Sequence, residues 1–170
     1  LFRGPHLGGP PARVVRHGGF GWVRLPFALP GGFPDDVIEV MASEPKICKY
    51  LDIPLQHISD SQLRSMHRGH DKATAVELIG KLRAAIPDIA IRTTMLVGYP
   101  GETTADFEEL LEFVRTSRFE RLGVFTYSEE EGTYSALKLA DDVAQEDKER
   151  RAAMLMEVQG NISHDLNVYK

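Results

Sequence analysis

From Pro34 onward, short apolar runs alternate with stretches whose apolar residues recur every three to four positions, the signature of strands alternating with helices. Pro34, Asp35 and Asp36 open a helix reaching about Ser43, with proline and acids in the first turn where the helix dipole favours them. Lys49 to Gln56 is a short buried strand. Asp60 caps a short helix carrying Leu63 and Met66, which Gly69 ends. A longer helix from about Lys72 to Ile86 sets Val76, Ile79, Leu82 and Ile86 on one face, and Pro87 and Asp88 stop it. Ile89 to Val97, rich in β-branched residues, is the clearest strand. Thr103, with Asp106 three residues on, starts a helix in the manner of a capping box, and Phe107, Leu110, Leu111 and Val114 form its buried stripe. Arg121 to Tyr127 is the next strand. A final helix from about Gln145 turns Leu155, Val158, Ile162 and Leu166 inward and spaces Glu146–Arg150 and Asp147–Arg151 for pairing on its exposed side.

Strands that alternate with helices and are buried on both faces make a parallel sheet, either doubly wound or curled into a barrel. The start of the chain departs from this order. Residues 1–34 hold more than half of all Gly and Pro, mixed with Arg and His, and offer little apolar surface against a large backbone entropy. Residues 1–22 are therefore expected to be disordered, either as a flexible tail or as sequence foreign to the fold. Only Trp22 to Phe27 is strand-like, and Pro26 weakens it.

A length of 170 residues suits one domain with a real core. The net charge of −5 argues against a broad nucleic-acid surface, and no basic stripe with interleaved aromatics appears. No apolar run approaches the roughly 20 residues needed to span a bilayer, and nothing resembles a secretory leader, so a cytoplasmic protein is expected. The one cysteine, Cys48, cannot alone hold a cluster or a structural zinc, and its place beside an apolar strand reads as a small buried thiol.

In parallel α/β folds ligands gather beyond the carboxyl ends of the strands. Three such ends are polar directly after an apolar run: Gln56-His57-Ile58-Ser59, Gly98-Tyr99-Pro100-Gly101-Glu102 and Tyr127-Ser128-Glu129-Glu130. A parallel sheet places all three on one rim. Gly98 to Thr103 leads from a strand into a helix N-terminus, where glycine amides either approach a ligand anion or simply form a tight turn. Its spacing is not that of a P-loop or a dinucleotide fingerprint. Arg92 and Thr94 share a strand face, so Arg92 meets either a ligand carboxylate or an acid such as Glu102 or Asp52. Gln56 and His57 point to opposite faces, and His57 is equally a hydrogen-bonded spacer and a base. Glu129 to Glu131 reads as a solvated loop, and no nucleophile with an adjacent base can be assigned.

Four strings carry a family resemblance: Lys49 to Asp60, Ile91 to Thr94, Val97 to Thr103, and Arg121 to Ser128. In order and spacing they resemble the radical S-adenosylmethionine methylthiotransferases, over about Val23 to the C-terminus. The likeness implies an α/β fold, the second half of a TIM-like (βα) barrel of the radical SAM type, spanning residues 23–144. Residues 145–170 would then lead to a small β-barrel substrate domain absent from the chain. It implies S-adenosylmethionine as cofactor, cradled at Gln56, Arg92, Thr94, Gly98, Pro100, Gly101, Tyr127 and Ser128. It also implies two 4Fe-4S clusters in a full-length parent. The chain lacks the CxxxCxxC loop and the N-terminal cluster domain, so it is expected to hold neither cluster and not to turn over alone. Gln56-His57-Ile58-Ser59, in place of Gln-Ser-Gly-Ser, and the strand ending Gly123 to Thr133 favour the branch that methylthiolates an aspartate of protein twelve of the small ribosomal subunit. The alternatives are the branch acting on isopentenylated adenosine in tRNA and a non-catalytic barrel remnant. The expected partner is the ribosomal protein, with no membrane and no direct nucleic-acid contact.

Overall fold

The computed structural model describes residues 21–25 and 27–168, so the expectation of disorder in the first 22 residues falls almost wholly outside them. Four strands, β1 (Val23–Leu25), β2 (Ile47–Asp52), β3 (Ala90–Val97) and β4 (Arg121–Thr126), form one sheet among the described residues. Their order is β1-β2-β3-β4, and every neighbouring pair is parallel. The helices are α1 (Asp35–Ser43), α2 (Asp60–Ser65), α3 (Lys72–Ala85), α4 (Thr104–Ser117), α5 (Tyr134–Lys138) and α6 (Gln145–Val168). Strands in sequential order with helical crossovers make a segment of a (βα) barrel rather than a doubly wound sheet, which would reverse its order at a switch point.

One sheet face is packed and the other is open. Ile91, Thr93, Met95 and Val97 of β3 are buried beneath the helices with Ile47 and Leu51 of β2. Arg92, Thr94 and Leu96 face the opposite, concave side, and the register sets Asp52 beside Arg92, Gly123 beside Thr94 and Phe125 beside Leu96. Phe125 is 63% exposed there. Cys48 lies in β2, half-buried, rather than before the strand.

The crossovers owe their positions to local chemistry. Asp71 caps α3 by accepting from Thr74 N–H. Asp60 is the first residue of α2, whose N-cap is Ser59, and its carboxylate instead accepts from the Lys72 amide at the start of α3. In α3 and its C-cap, Ile79, Leu82 and Ile86 are buried as expected, joined by Ala75 and Leu78, while Val76 is exposed. Helix α6 runs across β4 and α4 and buries Leu155 and Ile162, as its periodicity predicts. Arg151, expected on its outer side with Asp147, is buried, and Asp147 pairs with Arg150. No helix among the described residues is long and apolar enough to cross a membrane.

Candidate functional site

The three polar strand ends do meet at one rim. After Asp52 the chain leaves β2, and Ile53 N–H donates to Arg92 O while Gln56 N–H donates to Thr94 O, each at 2.8 Å. Between them two residues of one strand oppose a single residue, Thr93, a bulge-like irregularity. The Thr93 hydroxyl fills the gap by donating to Ile53 O at 2.8 Å. Gln56 itself takes a left-handed φ of 71° and accepts from Leu96 N–H at 2.7 Å, so its backbone is fixed on both sides. A non-glycine residue held in that region is a strained one, of the kind that gathers at ligand sites.

Gln56 thus forms a parallel bridge with Met95, its backbone held between Thr94 and Leu96 at the carboxyl end of β3. Arg92 is set deeper, six residues before Gly98, roughly 20 Å along a strand that rises about 3.3 Å per residue. It is exposed, not buried as its strand suggests, and pairs with Asp52 at 3.3 Å. The candidate residues therefore divide into Arg92 and Thr94 on the concave face, Gln56 bridged to Met95 at the strand end, and a loop set of Gly98, Pro100, Gly101, Tyr127 and Ser128.

The loop set is held from below. Gly98 (φ 72°) and Gly101 (φ 77°) supply the two left-handed turns of the loop. Their amides are already engaged: Gly98 N–H donates to the Glu102 carboxylate, and Gly101 N–H donates to Asp142 at 2.7 Å. This is a turn closed on its own acids, with Pro100 buried within it. Tyr127 N–H donates to Val97 O at 2.8 Å, and its ring meets Tyr99 edge-on, centroids 5.2 Å apart. The buried Tyr127 hydroxyl has no hydrogen-bond partner among the described residues. Ser128 is exposed.

Beneath the loop lies a buried polar cluster that periodicity did not reveal. Glu102 is 4% exposed, and its Oε1 stands 3.5 Å from Arg151 Nη1 and 3.8 Å from His57 Nε2. Arg151 also donates to Glu102 O at 3.1 Å. His57 Nδ1 accepts from Ser59 N–H at 3.0 Å, which puts the proton of a neutral ring on Nε2, toward Glu102. His57 is thus a buried positioning group and not a rim base. Lys148 pairs with Asp141 at 2.6 Å and packs beside the Tyr127 ring. Both cations come from α6, so the final helix braces the loop through charges in addition to the apolar contacts its pattern advertises.

Asp106 ties two strand ends together. It completes the capping box with Thr103 and accepts from the hydroxyls of Ser59 and Ser61. Desolvation pushes its carboxyl up, but the hydrogen bonds from Ser59, Ser61 and Thr103 outweigh it and hold the group well below the usual carboxylate range.

Among the described residues, two depressions stand out. A cleft of about 220 Å³ lies at the carboxyl end of β3, between the end of α2 and α5. A larger one, about 400 Å³, lies between the C-terminal halves of α4 and α6, near Arg118 and Asp165. That is the amino-end side of the sheet, which serves stability rather than chemistry in barrels of this kind.

Residues 12–114 match the family model described as the Radical SAM superfamily. Across 159 residues the chain is 55% identical to the ribosomal protein uS12 methylthiotransferase RimO of Christiangramia forsetii, covering 92% of this chain and 35% of that protein. It is 56% identical over 152 residues to the RimO of Flavobacterium johnsoniae, covering 89% of this chain and again 35% of the relative. The chain thus spans about a third of the length of these relatives. Among solved structures, coproporphyrinogen III oxidase (HemN) from Escherichia coli, a radical SAM enzyme, superposes with a TM-score of 0.61 at 18% identity, over 80% of this chain and 30% of that one.

Proposed function

The chain belongs to the radical SAM superfamily, and from that premise we propose that it is the second half of the barrel of a methylthiotransferase acting on an aspartate of ribosomal protein uS12. The observation that carries this reading is the match of 55% identity through 92% of the chain to an enzyme whose name states that substrate. A ribosomal-protein substrate supports a cytoplasmic location.

The rim residues suit S-adenosylmethionine. Thr94 offers a neutral hydrogen-bonding side chain on the concave face and Gln56 another at the strand end beside it, where ribose hydroxyls would be met. The Tyr127 hydroxyl, buried and without a hydrogen-bond partner among the described residues, is a further polar atom that could meet the ligand. Arg92 and Asp52, paired across the strands, match the carboxylate and ammonium of an amino-acid end. Gly98, Pro100 and Gly101 would contribute shape, because the two glycine amides already serve Glu102 and Asp142. Ser128 stands at the edge of this surface. When bound, S-adenosylmethionine supplies one-electron chemistry that removes a hydrogen atom from a substrate carbon. A CxxxCxxC cluster takes three thiolates, and the 170 residues contain one cysteine, so no cluster step is assigned to this chain.

Two measurements test the reading. Thermal unfolding of the chain with S-adenosylmethionine should show a raised Tm, since a ligand that binds only the folded state stabilises it by about 2.7 kcal/mol at roughly 100 times its Kd. Gln56→Ala and Thr94→Val should each shrink that rise, and no rise at saturation would make the barrel remnant the better reading. For the substrate, this chain would replace the corresponding stretch of the Christiangramia forsetii relative. Mass spectrometry of co-expressed uS12 should then find the methylthio group; a methylthiolated tRNA adenosine in its place would refute the ribosomal assignment.

A further inference from the structure

The cleft at the carboxyl end of β3 is walled by Arg68, His67, Tyr99, Tyr134, Ser65 and Leu96. None of these belongs to the candidate cofactor set. Its position is set by the turn after α2, where His67 takes a left-handed φ of 53° and meets Tyr134 with the rings tilted by 49° and their centroids 4.4 Å apart. A histidine in that region is strained, and the aromatic contact helps hold it there.

Arg68 is the unusual member. Three of the described arginines are not exposed. Arg83 pairs with Glu120 at 3.0 Å and Arg151 with Glu102 at 3.5 Å. Arg68 has no such acid among the described residues, and its enclosed Nε has no hydrogen-bond partner there. Burial lowers its pKa from the ordinary guanidinium value, with no carboxylate to offset the desolvation. A half-buried guanidinium left unpaired is costly, and a planar fork of donors matches a carboxylate better than any other side-chain partner.

The cleft's volume, about 220 Å³, falls below the range of roughly 300–1,000 Å³ typical of sites for drug-sized ligands. It suits one amino-acid side chain and not a whole S-adenosylmethionine. Leu96, in its wall, faces the same side of β3 as Thr94, so the cleft opens beside the surface assigned to the cofactor. We propose that this cleft is the recognition site for the carboxylate of the substrate aspartate, with Arg68 as the residue that reads it. The proposal rests on the ribosomal-protein reading above. In an aspartate every aliphatic C–H lies within two bonds of the side-chain carboxylate, so fixing that group against Arg68 fixes the carbon from which hydrogen is taken.

The test uses the full 170-residue chain and two small probes, N-acetyl-aspartate N-methylamide and its asparagine counterpart. Their binding is followed by NMR at the Nε–H of Arg68, identified by its loss in Arg68→Lys. The aspartate probe should shift that signal and bind at least about tenfold more tightly than the asparagine probe, the scale of a charge-assisted hydrogen bond. Arg68→Met should erase the difference without lowering Tm, since an apolar side chain there no longer strands a charge. Equal affinities, an unmoved Arg68 signal, or discrimination that survives in Arg68→Met would each overturn the proposal. The unsubstituted chain supplies the first two readouts even if the methionine variant fails to fold. S-adenosylmethionine at saturation should leave the aspartate probe bound. Displacement from Arg68 would identify the cofactor's own carboxylate as the occupant and overturn the assignment to substrate. Loss of the site with the cofactor's thermal shift intact would sink this proposal alone. An RNA hairpin that binds at Arg68 where the aspartate probe does not would sink the ribosomal-protein reading with it.

Discussion

A Cβ added at Gly98 would lie 2.9 Å from Cδ of Lys148 and closer still to its Cγ, at a backbone φ of +72°. Lys148 cannot swing aside, because its Nζ is tied to Asp141 and its stem is buried in α6. Gly101 has almost the same φ, +77°, but open space where its Cβ would go. The two glycines therefore separate conformational strain from steric clash. Gly101→Ala should destabilise the fold by about 1 kcal/mol, the penalty of the left-handed region, and Gly98→Ala by about 3 kcal/mol or more once the clash is added. Urea denaturation midpoints would tell them apart, and equal losses would show that Lys148 yields. Asp106 makes a second prediction at this scale. Its depressed pKa means that the folded state binds its proton less readily than the unfolded chain does. The stability it confers is complete above the ordinary value of 3.8 and is lost as pH falls below it. Asp106→Asn should cost about 1–2 kcal/mol at neutral pH, as losses of helix caps do. The gap between variant and parent should close as the pH is taken below 3.8. The capping box was legible in the sequence because Thr103 and Asp106 are three residues apart. The bonds that Ser59 and Ser61 make to the same carboxylate were not, since they join positions more than 40 residues apart that only the sheet brings together.

Strand β3 shows which features of the rim periodicity reveals and which it hides. Its alternation was visible, and the side carrying Arg92 and Thr94 was identified as a pair. What periodicity could not supply was which side is covered. The helices pack on Thr93, so Arg92 lies in the open on the concave face and meets Asp52. Thr93 escaped notice because a buried threonine in a β-branched run looks like core. Its hydroxyl nonetheless donates to Ile53 O across the irregularity that carries Gln56 into its left-handed turn. Thr93→Val keeps the shape and removes that bond, at an expected cost of about 1–2 kcal/mol for an unsatisfied buried carbonyl. Hydrogen exchange should speed up selectively at the amides of Gln56 and Leu96, which bond across the same junction. Uniform acceleration through β3 and β4 would mean that Thr93 supports the sheet as a whole and not the placement of Gln56. Helix α6 gives the complementary lesson. Its apolar stripe predicted which face turns inward, but Lys148 and Arg151 lie on that face too. A charged residue in a helical pattern reads as solvent-facing until its partner, here Asp141 or Glu102, is known.

At the scale of the whole molecule, a barrel segment has a geometry that a closed barrel lacks. Among the described residues β1 pairs only with β2, and β4 only with β3, so each leaves one edge of backbone donors and acceptors unpaired. The concave face, which a complete barrel fills with its own side chains, carries Phe125 at 63% exposure, and Trp22 before β1 is 84% exposed. Open edges and uncovered aromatics on one surface favour pairing with another chain. The 170-residue chain should therefore associate with itself as its concentration rises, visible as a growing weight-average sedimentation coefficient. Phe125→Lys places a charge on the concave face beside the β4 edge without touching the helix-covered core. It should raise the concentration at which association begins by about tenfold or more, the equivalent of one large apolar side chain no longer buried. Restoring the remaining strands by inserting the chain into the length of a full relative should abolish the association altogether, because the edges are then paired within one molecule. If association persisted in that chimera with Phe125 unchanged, the contact would lie on the outer helices instead. The groove between α4 and α6, with Arg118 and Asp165 at its end, would then be the surface to alter next.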